Sequence, residues 1–545
     1  QVIRVATFGL NMRPSNPLFL ALCYLTYLSA CHGEIFSASS NMMELFNIEE
    51  KMVDILEDFL TKIRGKLNRI ERYIEEFHQV KQEKADTPQK FTERVAGNPI
   101  HAFHIIKRFI IDWKHISREM SEDDWTHIVK KINRIGKSSK IPVEDDMHGA
   151  AVALVRLQDV YNMNTTELAN GIFLGIQTPA KLTAQDCLYM GKHSFNQGTY
   201  SRAVEWFEEA YKLAGLENNR TLTQDQAMQF LDHAITVHDQ MLAQNHELEG
   251  TEYEYRQSAR VKSPALQRQE QMRTRRYELG MNLTTTSIQR NYNALCRGEN
   301  LLDPKLHAKL KCWYESGTDK YWILQPIKVE RHYFDPPLFT LHDVIRDSKI
   351  QNIKLLSYPL LSRAMVQEQD GVGRQKTGVR TCQTAWLGDS FEPSIQEDSQ
   401  RISWLTGLKT DGETFSAEPL QVANYGMGGH YEPHYDCLLL HKSMETIKKM
   451  DPQEIAAGDR IATFMYYLSD VEKGGATVFP KIGVSVWPEK GAAAFWYNLK
   501  ANGQPNELTI HGGCPVVRGH KWVGNKWIRE RNQAFTKKCS RDENA

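Results

Sequence analysis

Apolar residues recur at Leu45, Ile48, Met52, Ile55, Phe59, Ile63, Leu67, Ile70, Ile74 and Phe77, mostly in alternating steps of three and four, with Glu, Lys and Arg between them. That spacing predicts a heptad-patterned coiled-coil helix whose stripe needs another helix, either a second copy of the chain or a following element. A second helical stretch over residues 102–120 offers such a neighbour. Residues 150–245 stay helical in pattern, and Leu188, Gly191, Phe195, Gly198, Tyr200, Ala203, Phe207 and Ala210 follow the small-and-large spacing of a tetratricopeptide helix pair. One such pair cannot bury its own face, so flanking helices over residues 154–161 and 230–237 are expected to complete a stack whose concave side suits extended peptides. Residues 246–335 are charged and poor in apolar periodicity until about Tyr321, which reads as a linker. Beyond it, short β-type runs alternate with Gly/Pro turn signals at 420–425, 461–468, 476–479, 492–496 and 514–517, the mark of an antiparallel sandwich or barrel.

A chain of 545 residues exceeds what one core supports, so this order implies several domains. They are residues 34–140, a helical coiled-coil dimerisation region; 145–245, a tetratricopeptide-like peptide-binding domain; 246–335, a linker; and 336–545, a β-domain. Lys+Arg and Asp+Glu both count 67, which removes the basic excess that holds a phosphate backbone and argues against a nucleic-acid partner. The one long apolar run, residues 17–31, falls short of a membrane span. With Met12 and Arg13 before it and small residues at 29–33 after it, residues 1–33 read as upstream sequence and a signal peptide.

A secretory route brings the nine cysteines into play as local staples, for which Cys296 with Cys312 and Cys514 with Cys539 are the plausible pairs. It also makes Asn164, Asn219 and Asn282 glycosylation acceptors, since each heads an Asn-x-Thr tripeptide. The terminal stretch 540–545 is no retention signal, so retention is expected to depend on a partner.

The chemistry concentrates in the segment YGMGGHYEPHYD, residues 425–436, where His434 and Asp436 at i and i+2 leave the same face of a strand. His511 lies on a distant run that a β-fold can bring alongside. Two imidazoles and one carboxylate form a facial triad that leaves positions open on Fe(II), whereas a closed structural zinc site wants four ligands with more sulfur. Lys521, if pointed inward, needs an anionic partner, which the far carboxylate of a dicarboxylate such as 2-oxoglutarate supplies.

These residues carry a family likeness. YEPHYD, GGATVFP at 474–480, FWYNL at 495–499 and HGGCPVVRGHKWVGNKW at 511–527 closely resemble the collagen prolyl 4-hydroxylase alpha-subunit family, and the likeness extends over nearly the whole chain. The resemblance implies a C-terminal double-stranded β-helix (jelly-roll) oxygenase, with the overall class multidomain α+β. It implies that His434, Asp436 and His511 bind iron, that Lys521 binds 2-oxoglutarate with help from Tyr425 and Thr477, and that Tyr431, Arg460 and Trp527 face the peptidyl proline. Tyr161, Phe195 and Tyr200 would line the peptide groove, where Phe195, Phe230 and His233 depart from a tyrosine-rich pattern. The two cysteine pairs named above also match disulfides of the family.

The activity so implied is C4 hydroxylation of proline in collagen-like X-Pro-Gly segments, using O2, converting 2-oxoglutarate to succinate and CO2, with L-ascorbate restoring oxidised iron. The implied setting is the endoplasmic reticulum lumen, in an alpha2beta2 tetramer with protein disulfide isomerase as beta subunit, self-associated through the heptad helix and acting on procollagen-like peptides. Two rivals are a non-catalytic secretory-pathway scaffold for proline-rich chains, against which the intact triad and Lys521 argue, and a zinc hydrolase, which lacks an evident general base.

Overall fold

The computed structural model describes residues 39–60, 68–81, 95, 97–120, 130, 132–135, 141–196, 198–216, 222–244, 284–316, 325–367, 374–375, 379–412, 414–440, 447 and 452–542. The expected signal peptide, Asn219, Asn282 and residues 246–283 of the expected linker lie outside them. Among the described residues no helix is long and apolar enough to cross a membrane.

The heptad pattern resolves into two helices, α1 (Ser39–Leu60) and α2 (Asn68–Lys81), with Ile63 and Leu67 outside the described residues. Both pack with α3 (Pro99–Lys107), which Asn98 caps by accepting the Ile100 and His101 amides. A π-helical segment, Arg108–Asp112, carries that helix into α4 (Trp113–Met120). The expectation of self-pairing through this stripe is corrected here. Leu45, Ile48, Met52, Ile55, Ile70, Ile74 and Phe77 are all buried within the chain itself, in one core with Ile100, Phe103 and Ile106. Phe46 stacks on Phe77 at 5.5 Å. The stripe needed another helix, and the same chain supplies it.

Further helices follow: α5 (Glu144–Val160), α6 (Thr165–Ala169), α7 (Ala184–Asn196), α8 (Tyr200–Leu216) and α9 (Gln224–Gln244). The helix pair read from residues 188–210 is α7 and α8. Gly191 explains their close approach, because a Cβ there would lie 2.4 Å from the Phe207 ring. The boundary expected near residue 140 separates no cores, since Met42 to Phe109 and Met147 to Ala234 contribute to one apolar cluster.

The remainder is built on two antiparallel sheets. In chain order the main strands are β1 (Cys312–Glu315), β2 (Ile327–Tyr333), β3 (Leu338–His342), β4 (Ser362–Arg363), β5 (Gln383–Leu387), β6 (Leu420–Tyr425), β7 (Tyr431–His434), β8 (Arg460–Tyr467), β9 (Thr477–Phe479), β10 (Val484–Val486), β11 (Ala493–Tyr497), β12 (His511–Gly513), β13 (Val516–Arg518) and β14 (Lys521–Arg529). The large sheet runs β1-β2-β3-β11-β8-β14-β6-β5-β4 and the small one β7-β12-β9-β10. Alternation gives the large sheet two apolar faces. On one, Val422, Phe464, Phe495 and Trp522 meet the helices that carry Ile350, Ile353, Ile395 and Ile402. On the other, Ala423, Met465, Trp496 and Val523 meet Phe479, Val484 and Val486 of the small sheet.

Two sequence expectations change here. β1 and β2 belong to the large sheet, and α10 (Thr284–Cys296) packs Tyr292 and Leu295 on Ala476 and Val478, so the described residues 284–316 and 325–335 are part of the oxygenase body and not a linker. The cysteine pairing also differs: Cys296 bonds Cys514, with their Cα atoms 5.5 Å apart, while Cys312 and Cys539 are free and exposed. Packing of α10 over the small sheet brings Cys296 to Cys514, whereas Cys312 sits on the outer edge strand, so neighbours in sequence are not neighbours in space.

Candidate active site

β7 and β12 lie side by side in antiparallel register with His434 opposite His511, which juxtaposes the two imidazoles across the ladder. The strand ends at His434, so Asp436 is not its neighbour on one strand face as the i, i+2 spacing suggested; it lies just beyond, in the irregular segment that follows. The carboxylate nevertheless returns between the rings, with Asp436 Oδ1 3.7 Å from His434 Nε2 and Oδ2 3.6 Å from His511 Nε2. All three ligand atoms lie within 4.8 Å of one another, the one such cluster among the described residues.

The surroundings orient each ligand. His434 Nδ1 stands 2.8 Å from the Glu432 carbonyl and His511 Nδ1 3.0 Å from the Thr509 carbonyl, so both Nδ1 atoms donate and both Nε2 lone pairs face the cluster. Burial, then the neighbouring His511, lowers His434 to about 3, leaving it a neutral donor at physiological pH. Burial alone would raise Asp436, but the two histidines, Arg460 and a hydrogen bond outweigh it and hold the carboxyl at about 2. That bond is donated by Thr463 Oγ1 to Asp436 Oδ2 at 2.6 Å, and Asn498 Nδ2 donates in turn to Thr463 at 2.9 Å. Two imidazoles and an ionised carboxylate converging on one point suit a divalent ion that keeps open positions.

A cavity opens beside the cluster. Four alternate residues of β14 line it, Lys521, Val523, Asn525 and Trp527, because a strand repeats its face every second residue. Lys521 is only 3% exposed, and among the described residues no carboxylate pairs with it. Its Nζ donates to Thr477 Oγ1 at 3.3 Å and stands 5.7 Å and 5.8 Å from the Tyr425 and Tyr467 ring centres. Burial pushes the ammonium down to about 7. Tyr425, Thr477 and Tyr431 line the same cavity, Tyr431 stacked on His434 at 3.5 Å.

Not every predicted residue reaches the cavity. Arg460 stands behind Trp527, 3.9 Å from its ring centre, with its guanidinium forked onto Glu418 at 2.7 Å on both arms. Phe195 and Tyr200 do meet, at 5.2 Å, with His233 5.3 Å from Phe195. The Tyr161 hydroxyl donates to the Pro515 carbonyl at 2.7 Å, against the oxygenase half. Asn164 is exposed and caps α6 by accepting the Thr166 and Glu167 amides.

Sequence reasoning missed Arg380, Thr463 and Asn498. Arg380 lines the cavity 4.7 Å from the Tyr431 ring centre and donates to Gln421 at 2.7 Å, with no local pattern to announce it. Thr463 had a signal: it is the polar interruption of the otherwise apolar run 461–468.

Residues 38–175 match the family model described as prolyl 4-hydroxylase alpha-subunit, N-terminal region, and residues 420–529 match that of the 2OG-Fe(II) oxygenase superfamily. The chain is 32% identical over 537 residues to the prolyl 4-hydroxylase subunit alpha-1 of Homo sapiens, covering 94% of this chain and 97% of that one. It is 33% identical over 543 residues to the prolyl 4-hydroxylase subunit alpha-2 of Caenorhabditis elegans, covering 96% of each. Among solved structures, the viral collagen prolyl hydroxylase of Paramecium Bursaria Chlorella virus-1 in complex with 2OG shares 22% identity over 35% of this chain and 95% of that one, with a TM-score of 0.26, too low to carry an argument.

Proposed function

The chain belongs to the prolyl 4-hydroxylase alpha-subunit family, and from that membership and the cavity we propose that it hydroxylates peptidyl proline at C4 as an Fe(II)- and 2-oxoglutarate-dependent dioxygenase. The observation that carries this reading is the pairing of an N2O ligand cluster, His434, Asp436 and His511, with a buried lysine that has no carboxylate partner among the described residues.

Each residue has a defined task. His434, Asp436 and His511 hold the metal, with Thr463 and Asn498 keeping the carboxylate turned toward it. Lys521 takes the far carboxylate of 2-oxoglutarate, with Thr477 and Tyr425 beside it. Tyr431 and Trp527 wall the cavity and place the proline ring, while Arg460 and Glu418 hold Trp527 flat. Bound there, Fe(II) with 2-oxoglutarate and O2 supplies the oxidant for C4 hydroxylation, releasing succinate and CO2, and L-ascorbate restores it after failed turnovers.

Collagen-like X-Pro-Gly chains are the substrate class, since a proline-rich chain already favours the polyproline II form that flat aromatic faces accept. The tetratricopeptide-like stack of α7, α8 and α9 presents Phe195, Tyr200 and His233 for that purpose. The setting is the endoplasmic reticulum lumen, with glycan at Asn164 and protein disulfide isomerase as the partner in an alpha2beta2 tetramer. Because the heptad stripe is buried within the chain, self-association would use another surface.

The test is to measure iron content and succinate release on adding a proline-rich peptide. Iron with peptide-dependent succinate and hydroxyproline is expected. Peptide binding with no turnover would make the chain a scaffold, and zinc with peptide hydrolysis would make it a hydrolase.

A further inference from the structure

We infer that Tyr161 and Arg156, at the C-terminal end of α5 in the helical region, are positioning residues that hold the backbone of the two metal-bearing strands. The inference rests on the reading of His434, Asp436 and His511 as metal ligands. Residues 426–430 lead directly into β7, yet Met427 is fully buried in the core of the helical region, together with Val517. Gly428 lies against Ala153 of α5: its φ is +60°, and an added Cβ would stand 2.7 Å from the Ala153 Cβ and 3.1 Å from its carbonyl oxygen. Arg156 Nη1 donates to the Gly428 carbonyl at 3.2 Å.

The same loop is tied to β13, with Gly428 donating to Val516 and Val516 to Gly429, each at 3.0 Å. Pro515 joins β13 to β12, and it is the Pro515 carbonyl that accepts the Tyr161 hydroxyl at 2.7 Å. The fit is close on the other side as well, since a Cβ on Gly474 would meet that hydroxyl at 2.8 Å. Arg156 therefore holds the approach to His434, and Tyr161 the exit from His511. Neither touches the ligand cluster. Small displacements of ligating groups weaken a site steeply, so loss of either anchor should be felt at the metal.

The experiment uses the full chain and Co(II) as a probe, read by calorimetry, with thermal melting as the control for folding. Tyr161→Phe keeps the ring and removes the hydroxyl, and Arg156→Leu removes the donor while Arg156→Lys restores one. Co(II) affinity should fall about three- to tenfold in Tyr161→Phe and Arg156→Leu, with substantial recovery in Arg156→Lys. Binding of a proline-rich peptide should be unchanged in all three.

Unchanged Co(II) affinity in both folded variants overturns the inference, and a fall in peptide affinity with Tyr161→Phe would return that residue to the groove. Failure of the unmodified chain to bind Co(II) would instead sink the metal-site reading itself. If a variant fails to fold, hydrogen exchange on the unmodified chain decides: Co(II) should slow exchange in residues 150–161 as well as in β7 and β12. Slowing confined to the oxygenase strands overturns the inference.

Discussion

The helical region and the oxygenase cavity both bury ionic groups, and they treat them in opposite ways. In the helical region Arg108 is forked onto Glu49, with Nη2 to Oε2 at 3.1 Å, and Lys107 meets Asp186 at 2.8 Å. All four side chains are nearly inaccessible, and each cation has its anion. In the cavity Lys521 is as deeply buried and faces one hydroxyl and two aromatic rings. Desolvating an ammonium is costly, and a fold that leaves it without a carboxylate leaves that role to a ligand. β14 carries both solutions on its two faces: Lys526 points away from the cavity to Asp389 at 3.1 Å, five residues from unpaired Lys521. A buried cation with a protein partner speaks of structure, and one without speaks of a binding site.

The strongest way to break this contrast is at the ligand cluster. Ala at His434, Asp436 or His511 should lower hydroxylation by more than about 100-fold, since even residues that only orient ligands are worth 10- to 100-fold. The melting profile should be retained, and substantial turnover in any one of the three would refute the assignment.

Breaking the paired region should do the reverse. Arg108→Leu strands the Glu49 carboxylate in a dry core and should destabilise the helical region by about 3–5 kcal/mol, read by denaturant titration. Metal affinity of the protein that remains folded should change little. A variant as stable as the parent would show that the fork contributes nothing.

Lys521→Met sharpens the comparison because it removes the unpaired charge and keeps the bulk. The 2-oxoglutarate requirement should rise about 10- to 100-fold while metal binding is unchanged. The pH dependence has a definite sign. With the ammonium lowered to about 7 in the folded chain and near its usual value of about 10.4 when unfolded, the unfolded state holds more protons between the two. The ligand-free fold therefore gains stability as pH rises through that window. A dicarboxylate needs the charged form, so its affinity should fall as pH rises above about 7, by up to tenfold per unit, and the slope should vanish in Lys521→Met. A flat profile in the parent would refute the pairing of Lys521 with the ligand.

The smallest effect is expected at Thr463→Val, which removes the donor to Asp436 and the acceptor for Asn498. Metal affinity should drop about tenfold with no change in the 2-oxoglutarate requirement at saturating metal. An equal change in both would mean that Thr463 acts on the cavity as a whole.

What the sequence determined by itself was local. Short runs between turn signals mark strands at 420–425 and 461–468, and steps of three and four mark the residues of α1 and α2 that must be buried. Such periodicities encode which side of an element is covered, because they arise from the backbone geometry of that element alone. They do not encode what covers it. The stripe residues described between Leu45 and Phe77 found helices of their own chain, Cys296 found Cys514 in place of Cys312, and the Tyr161 hydroxyl found the Pro515 carbonyl. The placing of His511 opposite His434 was likewise invisible in the spacing, since residues far apart in the chain meet only where strand register and helix docking bring them together. Tertiary structure decided those partners because each depends on the packing of whole elements, and no single segment holds that information.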